Sequence, residues 1–94
     1  MIGISLIDEN NFVTNNNIVK VGYVVPNSPA KKSGIMVSDV IIKVGNKDIK
    51  TASDVISQIT KNGIYKEINI LLKRRNKLIS LKIKPIDINN LQDK

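Results

Sequence analysis

The feature that most constrains this chain is a helix signal of little more than one turn, bounded by its own start and stop residues. Ser28 is a good N-cap, and Pro29 stands at the first helical position, where the missing N–H of proline costs nothing. Gly34 stands where a helix needs a left-handed residue to end it. So short a helix is not stable alone. We therefore expect Ala30 and Ile35 to hold it against a sheet.

Aliphatic segments on both sides of this helix predict the strands of that sheet. Apolar and polar residues alternate over 68–73 and 79–83, on either side of a turn at 74–77, which predicts an antiparallel hairpin. Further strands are predicted over 2–7, 18–25 and 39–44, and a phase break beside Gly22 predicts either a β-bulge or a strand buried on both faces. The polar segment 8–17, with Phe12 and Val13 as its only apolar pair, is predicted as a surface loop.

A second helix is predicted from Ala52 to about Asn62, with Thr51 as its N-cap and Gly63 at its end. The order of elements is strand, strand, short helix, strand, short strand, helix, strand, strand. This order predicts an α+β fold: a partly open antiparallel barrel or sandwich of about five to six strands, capped by two helices.

Residue types that are missing from the chain exclude several functions. The 94 residues contain no histidine, so neither Ser-His-Asp nor Cys-His catalysis nor a common zinc-hydrolase motif can be assembled. Cysteine is also absent, which excludes a disulfide framework. Asp8 and Glu9 form an acidic pair, but they have no candidate base as a partner. We predict that this chain itself is not an enzyme and needs no cofactor or metal.

The net charge of +7 raises the alternative of binding to nucleic acid or to an anionic membrane surface. The densest basic run, 73–77, falls on a predicted turn, where solvated charges are expected. Aromatic residues for base stacking are only 3% of the chain, and they lie far apart in sequence. No apolar run approaches the ~20 residues of a membrane span. We therefore predict neither nucleic-acid binding nor membrane insertion, and expect the charge to favour acidic or carboxylate-terminated ligands.

Residues 28–35, 38–41 and 44–49 together resemble the bacterial PDZ pattern S-P-A-x-x-A-G-[LI]-x-x-G-D-V-I-x-x-[IV]-[ND]-G-x-x-[IV]. The resemblance is closest to PDZ domains of HtrA/Deg-type serine proteases, because Ile2-Gly3-Ile4 stands where that family has its [YFWLI]-[LIV]-G-[IV] loop. PDZ domains of site-2-type intramembrane metalloproteases and of tail-specific proteases look similar. Two positions depart from the pattern: Ser38 replaces a glycine, and Gly45-Asn46 reverses the usual order.

This resemblance implies a single PDZ domain over 1–85, followed by a polar tail over 86–94. Such a domain binds extended segments or free C-termini of unfolded protein substrates by β-strand addition. It would serve as the recognition or regulatory part of a larger serine endopeptidase in protein quality control, located in the periplasm or cell envelope, with that protease domain as a second partner. An alternative is a structural module that packs on a neighbouring domain or subunit.

The implied site lies on the start of the chain and on the second helix. Backbone N–H groups near Gly3 and Ile4 would bind a carboxylate, and Ile4 to Ile7 would pair with the ligand. Simple structural roles stay open for Gly3, near a frayed terminus, and for Ile56, in core packing. We expect Gly3→Val to weaken binding while leaving the fold intact. The candidate peptide-binding residues are Ile2, Gly3, Ile4, Ser5, Leu6, Ile7, Ala52, Ile56 and Thr60.

Overall fold

The computed structural model describes residues 2–11 and 16–86, and it confirms the predicted α+β architecture of six antiparallel strands and two helices. The predicted tail lies outside the described residues except for Ile86, and so do Phe12 and Val13. Neither helix of the described part has the length and apolar character needed to cross a membrane. The elements in chain order are β1 (Ile4–Asn11), β2 (Asn16–Val24), α1 (Pro29–Ser33), β3 (Val40–Val44), β4 (Lys47–Asp48), α2 (Ala52–Asn62), β5 (Ile68–Arg74) and β6 (Lys77–Ile83).

The sheet is open, with β1 and β6 at its two ends. Its strand order is β1-β2-β3-β5-β6, and β4 pairs with β3 outside this path. Helix α1 lies beside β6, while α2 has its contacts with β1 and β3. The edge of β1 that faces away from β2 is therefore unpaired by any strand among the described residues.

The prediction of a long polar loop over 8–17 is wrong. Strand β1 continues to Asn11, and β2 begins at Asn16, with Asn10 opposite Asn17 in the ladder. The backbone N–H and C=O groups of the two strands form hydrogen bonds with each other. This pairing overrides the weak strand preference of asparagine and aspartate. A hairpin arm that projects into solvent also needs no alternation of apolar residues, and the sequence therefore carried no strand signal there.

The predicted bulge at Gly22 is confirmed. Ser5 pairs with Tyr23 and Leu6 with Val21, which leaves Gly22 as the extra residue on β2. The side chain of Ile7 lies over this glycine, where a Cβ would stand 2.8 Å from the Ile7 Cδ1 atom. The bulge thus shifts the register, and the missing side chain of Gly22 makes room for Ile7.

An aliphatic core fills the space inside the curved sheet. Within residues 2–11 and 16–86, the cluster of buried hydrophobic side chains consists of isoleucine, valine, leucine and alanine, as expected for a chain with few aromatic residues. Because β-branched residues suit strands, the same residues that form the sheet also fill its interior. The core residues are Ile2, Val19, Val21, Ala30, Ile35, Ile41, Val44, Val55, Ile68, Ile70, Leu72 and Ile83.

The single-turn helix α1 forms as its sequence predicts. The Ser28 hydroxyl accepts a hydrogen bond from the N–H of Lys31, and Pro29 occupies the first turn. Gly34 adopts the left-handed conformation with φ of 98° and ends the helix. Ala30 and Ile35 are both buried, so core packing holds this short helix in place.

The two departures from the PDZ pattern have clear structural consequences. Ser38 keeps a positive φ of 79°, a value that favours glycine, so this position stores backbone strain. Gly45 has a φ of 61° at the first central position of the β3–β4 turn. A glycine at that position is typical of a type II′ turn, which explains why the order Gly45-Asn46 is tolerated.

A buried ion pair joins the segment after α1 to the end of β5. The Asp39 carboxylate is almost fully buried and accepts two hydrogen bonds of 2.8 Å from the Arg74 guanidinium. It also accepts one from the N–H of Met36, and Arg74 donates another to the carbonyl of Gly34. The hydrogen bond with Asp39 raises the pKa of Arg74.

Helix α2 begins with a complete capping box. The Thr51 hydroxyl accepts from the N–H of Asp54, and the Asp54 carboxylate accepts from the N–H of Thr51. A further hydrogen bond from the N–H of Lys50 is the main reason why the pKa of Asp54 is lowered. These contacts fix the start of the helix that faces β1.

We predict that Arg74→Met destabilises the fold, because it leaves the buried Asp39 carboxylate without its cation. The expected fall in the thermal midpoint is roughly 10 °C. Arg75→Met is the matched control, since it removes the same charge from an exposed neighbour in the turn. Circular dichroism melts of both variants measure the difference, and equal midpoints would show that the ion pair contributes nothing.

We also predict that Thr51→Ala lowers the free energy of unfolding by about 1 kcal/mol, through loss of the side-chain cap. Ser53→Ala, on the exposed surface of the same helix, should change it by less than about 0.5 kcal/mol. Urea denaturation monitored by circular dichroism compares the two variants. An unchanged midpoint for Thr51→Ala contradicts the role of the cap.

Candidate functional site

A cavity of about 570 Å³ lies between the unpaired edge of β1 and helix α2. Seven of the nine residues predicted for the site line it: Ile2, Gly3, Ile4, Leu6, Ala52, Ile56 and Thr60. The remaining lining residues are Val25, Val55, Ile59, Gly63, Ile64 and Pro85. We refer to this cavity as the β1–α2 groove.

Ser5 and Ile7 are the two predicted residues that do not line the groove. Side chains alternate along a strand, so those of Ile4 and Leu6 face the groove while those of Ser5 and Ile7 point to the outer face. Both outer side chains are exposed. The Gly3 carbonyl faces Val25, and main-chain groups alternate along a strand, so those of Ser5 and Ile7 face β2 and those of Ile4 and Leu6 face the open edge.

The apolar residues of helix α2 that line the groove differ in how deeply they are buried. Val55 is buried, and Ile59 is half-buried against the core. Ala52, Ile56 and Thr60 follow one another at intervals of four residues, which places them on one face of the helix. Ile56 is the most exposed of the groove's large side chains, at 62%, so core packing does not account for its position.

The carbonyl groups of Ile2 and Gly3 both point towards residues 25–30, the segment that leads into α1. The N–H of Ala30 donates to the carbonyl of Ile2 (2.9 Å), and the N–H of Val25 donates to the carbonyl of Gly3 (2.8 Å). These peptide groups are trans, and in a planar trans peptide the N–H points opposite to the C=O. The N–H groups of Gly3 and Ile4 therefore both point away from this segment.

This orientation differs from that of a regular strand, in which successive N–H groups point to opposite sides. Two neighbouring N–H groups on one side, at a residue with positive φ, are the arrangement from which anion-binding concavities are built. Gly3 has a φ of 85°, and both Gly3 and Ile4 line the groove. The arrangement can thus hold a carboxylate at this end of the groove.

Gly3 is also a packing residue, and the expectation that Gly3→Val leaves the fold intact is wrong. A Cβ on Gly3 would lie 2.2 Å from the Cβ of Ser28 and 2.6 Å from its hydroxyl oxygen. Ser28 is buried and caps α1, so it cannot move aside without cost. The backbone approaches α1 closely because position 3 carries no side chain. The same residue therefore serves both the fold and the groove.

The opposite end of the groove contains a contact that the sequence did not predict. The Asp8 carboxylate accepts a hydrogen bond of 2.9 Å from the N–H of Ala52, the first residue of α2. Asn17 donates to the carbonyl of Lys50 (2.6 Å) and also approaches Asp8. The sequence offers one signal for this contact: Asp8 follows Ile4 and Leu6 at a spacing of two residues, on the same face of the strand. That signal can be used only if β1 is known to extend as far as Asp8.

The groove is uncharged along its described lining. Its side chains are aliphatic except for that of Thr60, and no ionisable residue is among them. A ligand side chain that enters the groove is therefore held by apolar contact, and polar recognition falls to the backbone of β1 and of the Gly3 segment. This division between an apolar pocket and a few backbone groups is typical of a site for an extended peptide.

An unpaired strand edge, a capping helix beside it and paired backbone N–H groups at one end together define a peptide-binding domain of the PDZ type. The family model described as "PDZ domain" matches residues 1–84, and the chain belongs to this family. A PDZ domain is a non-catalytic module. This one resembles the PDZ domains of HtrA-type serine proteases.

The chain is 32% identical over 65 residues to serine protease HTRA1 of Xenopus tropicalis. This alignment covers 69% of the present chain and 14% of the relative. It thus spans a small part of the length of such a protease. Among solved structures, the HtrA3 PDZ domain bound to a phage-derived ligand aligns with a TM-score of 0.76 at 22% identity, covering 90% of this chain and 83% of that one. The HtrA-type protease AlgW with a decapeptide gives 0.79 at 16% identity, covering 89% and 28%. At these identities the two structures show a shared fold.

We predict that Gly3→Ala lowers the free energy of unfolding by about 3 kcal/mol, from backbone strain together with the contact with Ser28. Gly34→Ala is the matched control, because Gly34 also has a positive φ but open space around its Cβ position. Its cost should be about 1 kcal/mol, from strain alone. Urea denaturation measures both values. Equal losses would mean that the approach to Ser28 is not tight in solution.

Proposed function

We propose that this chain is a peptide-recognition module that binds free C-termini or extended segments of unfolded proteins by β-strand addition to β1. The observation that carries the proposal is the unpaired edge of β1 beside an apolar groove, with the N–H groups of Gly3 and Ile4 turned away from α1. A bound peptide would extend the sheet, since each backbone group on the open edge finds a partner. Residues 1–85 form the module in this proposal.

The ligand would lie antiparallel to β1, with its terminal carboxylate near Gly3 and its last side chain in the groove. Ile4 and Leu6 would form one wall, and Ala52, Ile56 and Thr60 the other. The main-chain N–H and C=O groups of Ile4 and Leu6 face the open edge and would pair with the ligand, whereas those of Ser5 and Ile7 face β2. A few such bonds and one apolar pocket, offset by the cost of ordering the ligand, correspond to a dissociation constant of roughly micromolar size.

We further propose that the module belongs to a larger HtrA/Deg-type serine endopeptidase of the periplasm or cell envelope, where it delivers unfolded substrates to the protease domain. Support comes from the 32% identity with HTRA1 and from the fold shared with peptide-bound HtrA-type structures. The present chain covers 14% of that relative's length, so the catalytic residues would lie in another domain.

The proposal is tested with a displayed library of heptapeptides that have free C-termini. Selected peptides should bind the isolated chain at roughly micromolar concentration in isothermal titration calorimetry, and their C-terminally amidated forms should bind about tenfold more weakly or worse. Equal affinity of the free and amidated forms contradicts capture of a carboxylate. Failure to select any peptide contradicts the peptide-binding function.

We predict that Ile56→Lys weakens binding of a selected peptide by about tenfold or more, because it removes an apolar contact on the groove wall. Ile56 is largely exposed, so the free energy of unfolding should stay within about 0.5 kcal/mol of the original. Ser57→Lys is the matched control, since it adds the same charge at a neighbouring helix position that does not line the groove. If both variants bind like the original chain, α2 is not a wall of the site.

A further inference from the structure

The hydrogen bond between Asp8 and Ala52 links the two walls of the β1–α2 groove at its far end. The side chains of Ile4 and Leu6 face the groove, and Asp8 is the next residue on the same face of β1. Its carboxylate oxygen lies 2.9 Å from the N–H of Ala52, one of the helix N–H groups that has no partner within α2. Strand and helix are thereby joined where the groove would otherwise continue.

A second link from the hairpin supports the first. The Asn17 side chain donates to the carbonyl of Lys50, two residues before α2, and lies 3.5 Å from the same Asp8 oxygen. Asn17 stands on β2, opposite Asn10 of β1, so both strands of the hairpin hold the start of the helix. The extension of β1 beyond Ile7 therefore brings Asp8 to the first residue of α2.

The other contacts of α2 leave its position relative to β1 weakly determined. Val55 is the one buried residue of the helix among the described part of the chain. Ala52 and Ile59 are half-buried against the core. A helix with so few buried residues depends more on polar links at its ends, and the hydrogen bond between Asp8 and Ala52 is such a link between β1 and α2.

We propose that Asp8 is a positioning residue that closes the groove after Ile7 and thereby limits it to the last four residues of a ligand. This inference rests on the proposed peptide-binding function. The open edge from Ile4 to Ile7 is about 13 Å long at ~3.3 Å per residue, which matches four residues of an extended peptide. A longer ligand that stays paired with β1 would have to cross the link between Asp8 and Ala52.

The consequence is a ligand that is read only near its C-terminus. Residues upstream of the fourth leave the sheet edge and contribute little to affinity. A module of this kind accepts many different chain ends, since it requires a short apolar terminus and no longer sequence. Removal of the link would open the groove and let additional ligand residues pair with β1.

The test uses the tightest heptapeptide from the library described above, shortened one residue at a time from its N-terminus to three residues. For the original chain, the dissociation constant should stay within about twofold from seven residues to four and rise clearly at three. In Asp8→Ala the heptapeptide should bind about threefold to tenfold more tightly than the tetrapeptide, as expected from one additional backbone hydrogen bond.

Two control variants separate the link from charge. Asp8→Asn keeps an oxygen that can accept from Ala52 and should behave like the original chain. Glu9→Ala removes a neighbouring acidic residue that forms an ion pair with Lys20. This variant should also keep the original dependence of affinity on peptide length. Because Asp8 and Glu9 are both exposed, all three variants are expected to fold.

Each outcome decides the question. Affinity of the original chain that keeps rising beyond four residues, or an Asp8→Ala variant with the original length dependence, overturns the role of Asp8 while leaving peptide binding in place. A change in Asp8→Asn equal to that in Asp8→Ala also overturns it, since charge would then be the cause. Absence of binding at every length overturns the proposed function and this inference together.

Discussion

The close contact between residues 2–3 and the segment around α1 is the constraint on which the rest of the structure depends. The carbonyl groups of Ile2 and Gly3 accept hydrogen bonds from the N–H groups of Ala30 and Val25. Gly3 also lies directly against the buried Ser28. This contact brings the start of β1 to the short helix and fixes the direction of the following N–H groups. The single-turn helix is stable only because it packs there. One set of contacts thus stabilises α1 and prepares the end of the groove.

The positions of the two helices leave one edge of the sheet open. Helix α1 packs beside β6, whereas α2 stands off from β1 and leaves an aliphatic groove between them. An unpaired edge is a liability for a soluble fold, because it can pair with other chains. Here the adjacent helix restricts what can reach that edge, and the hairpin carries Asp8 to hold the helix in place. The edge therefore lies beside an aliphatic groove whose walls are β1 and α2.

Most of the fold could be predicted from the sequence because the residues that start and end its helices act locally. Ser28, Pro29 and Gly34 define α1 by their own backbone preferences, and Thr51 with Gly63 does the same for α2. These signals act within a few residues, so they are visible without tertiary structure. The residues that line the groove could be placed only through the resemblance to PDZ domains, because alternation shows which side chains share a face and not which element lies opposite.

The contacts that the sequence does not predict join residues that are far apart along the chain. Arg74 looked like one charge in a solvated turn, but it is bound to the buried Asp39, which lies far away in sequence. Asp8 looked like part of a polar loop, and its partner Ala52 is equally remote. The cost of a side chain at Gly3 depends on Ser28, which only the fold brings within contact. Local patterns contain no information about such pairs.

An NMR titration of the isolated chain with a selected free-C-terminal peptide is the most direct measurement of strand addition at β1. The backbone amide signals of Gly3 to Ile7 should move most, together with those of Ala52 and Ile56, as ligand docks along β1. Shifts confined to other parts of the sheet, with the signals of Gly3 to Ile7 unchanged at saturation, would contradict strand addition at this edge.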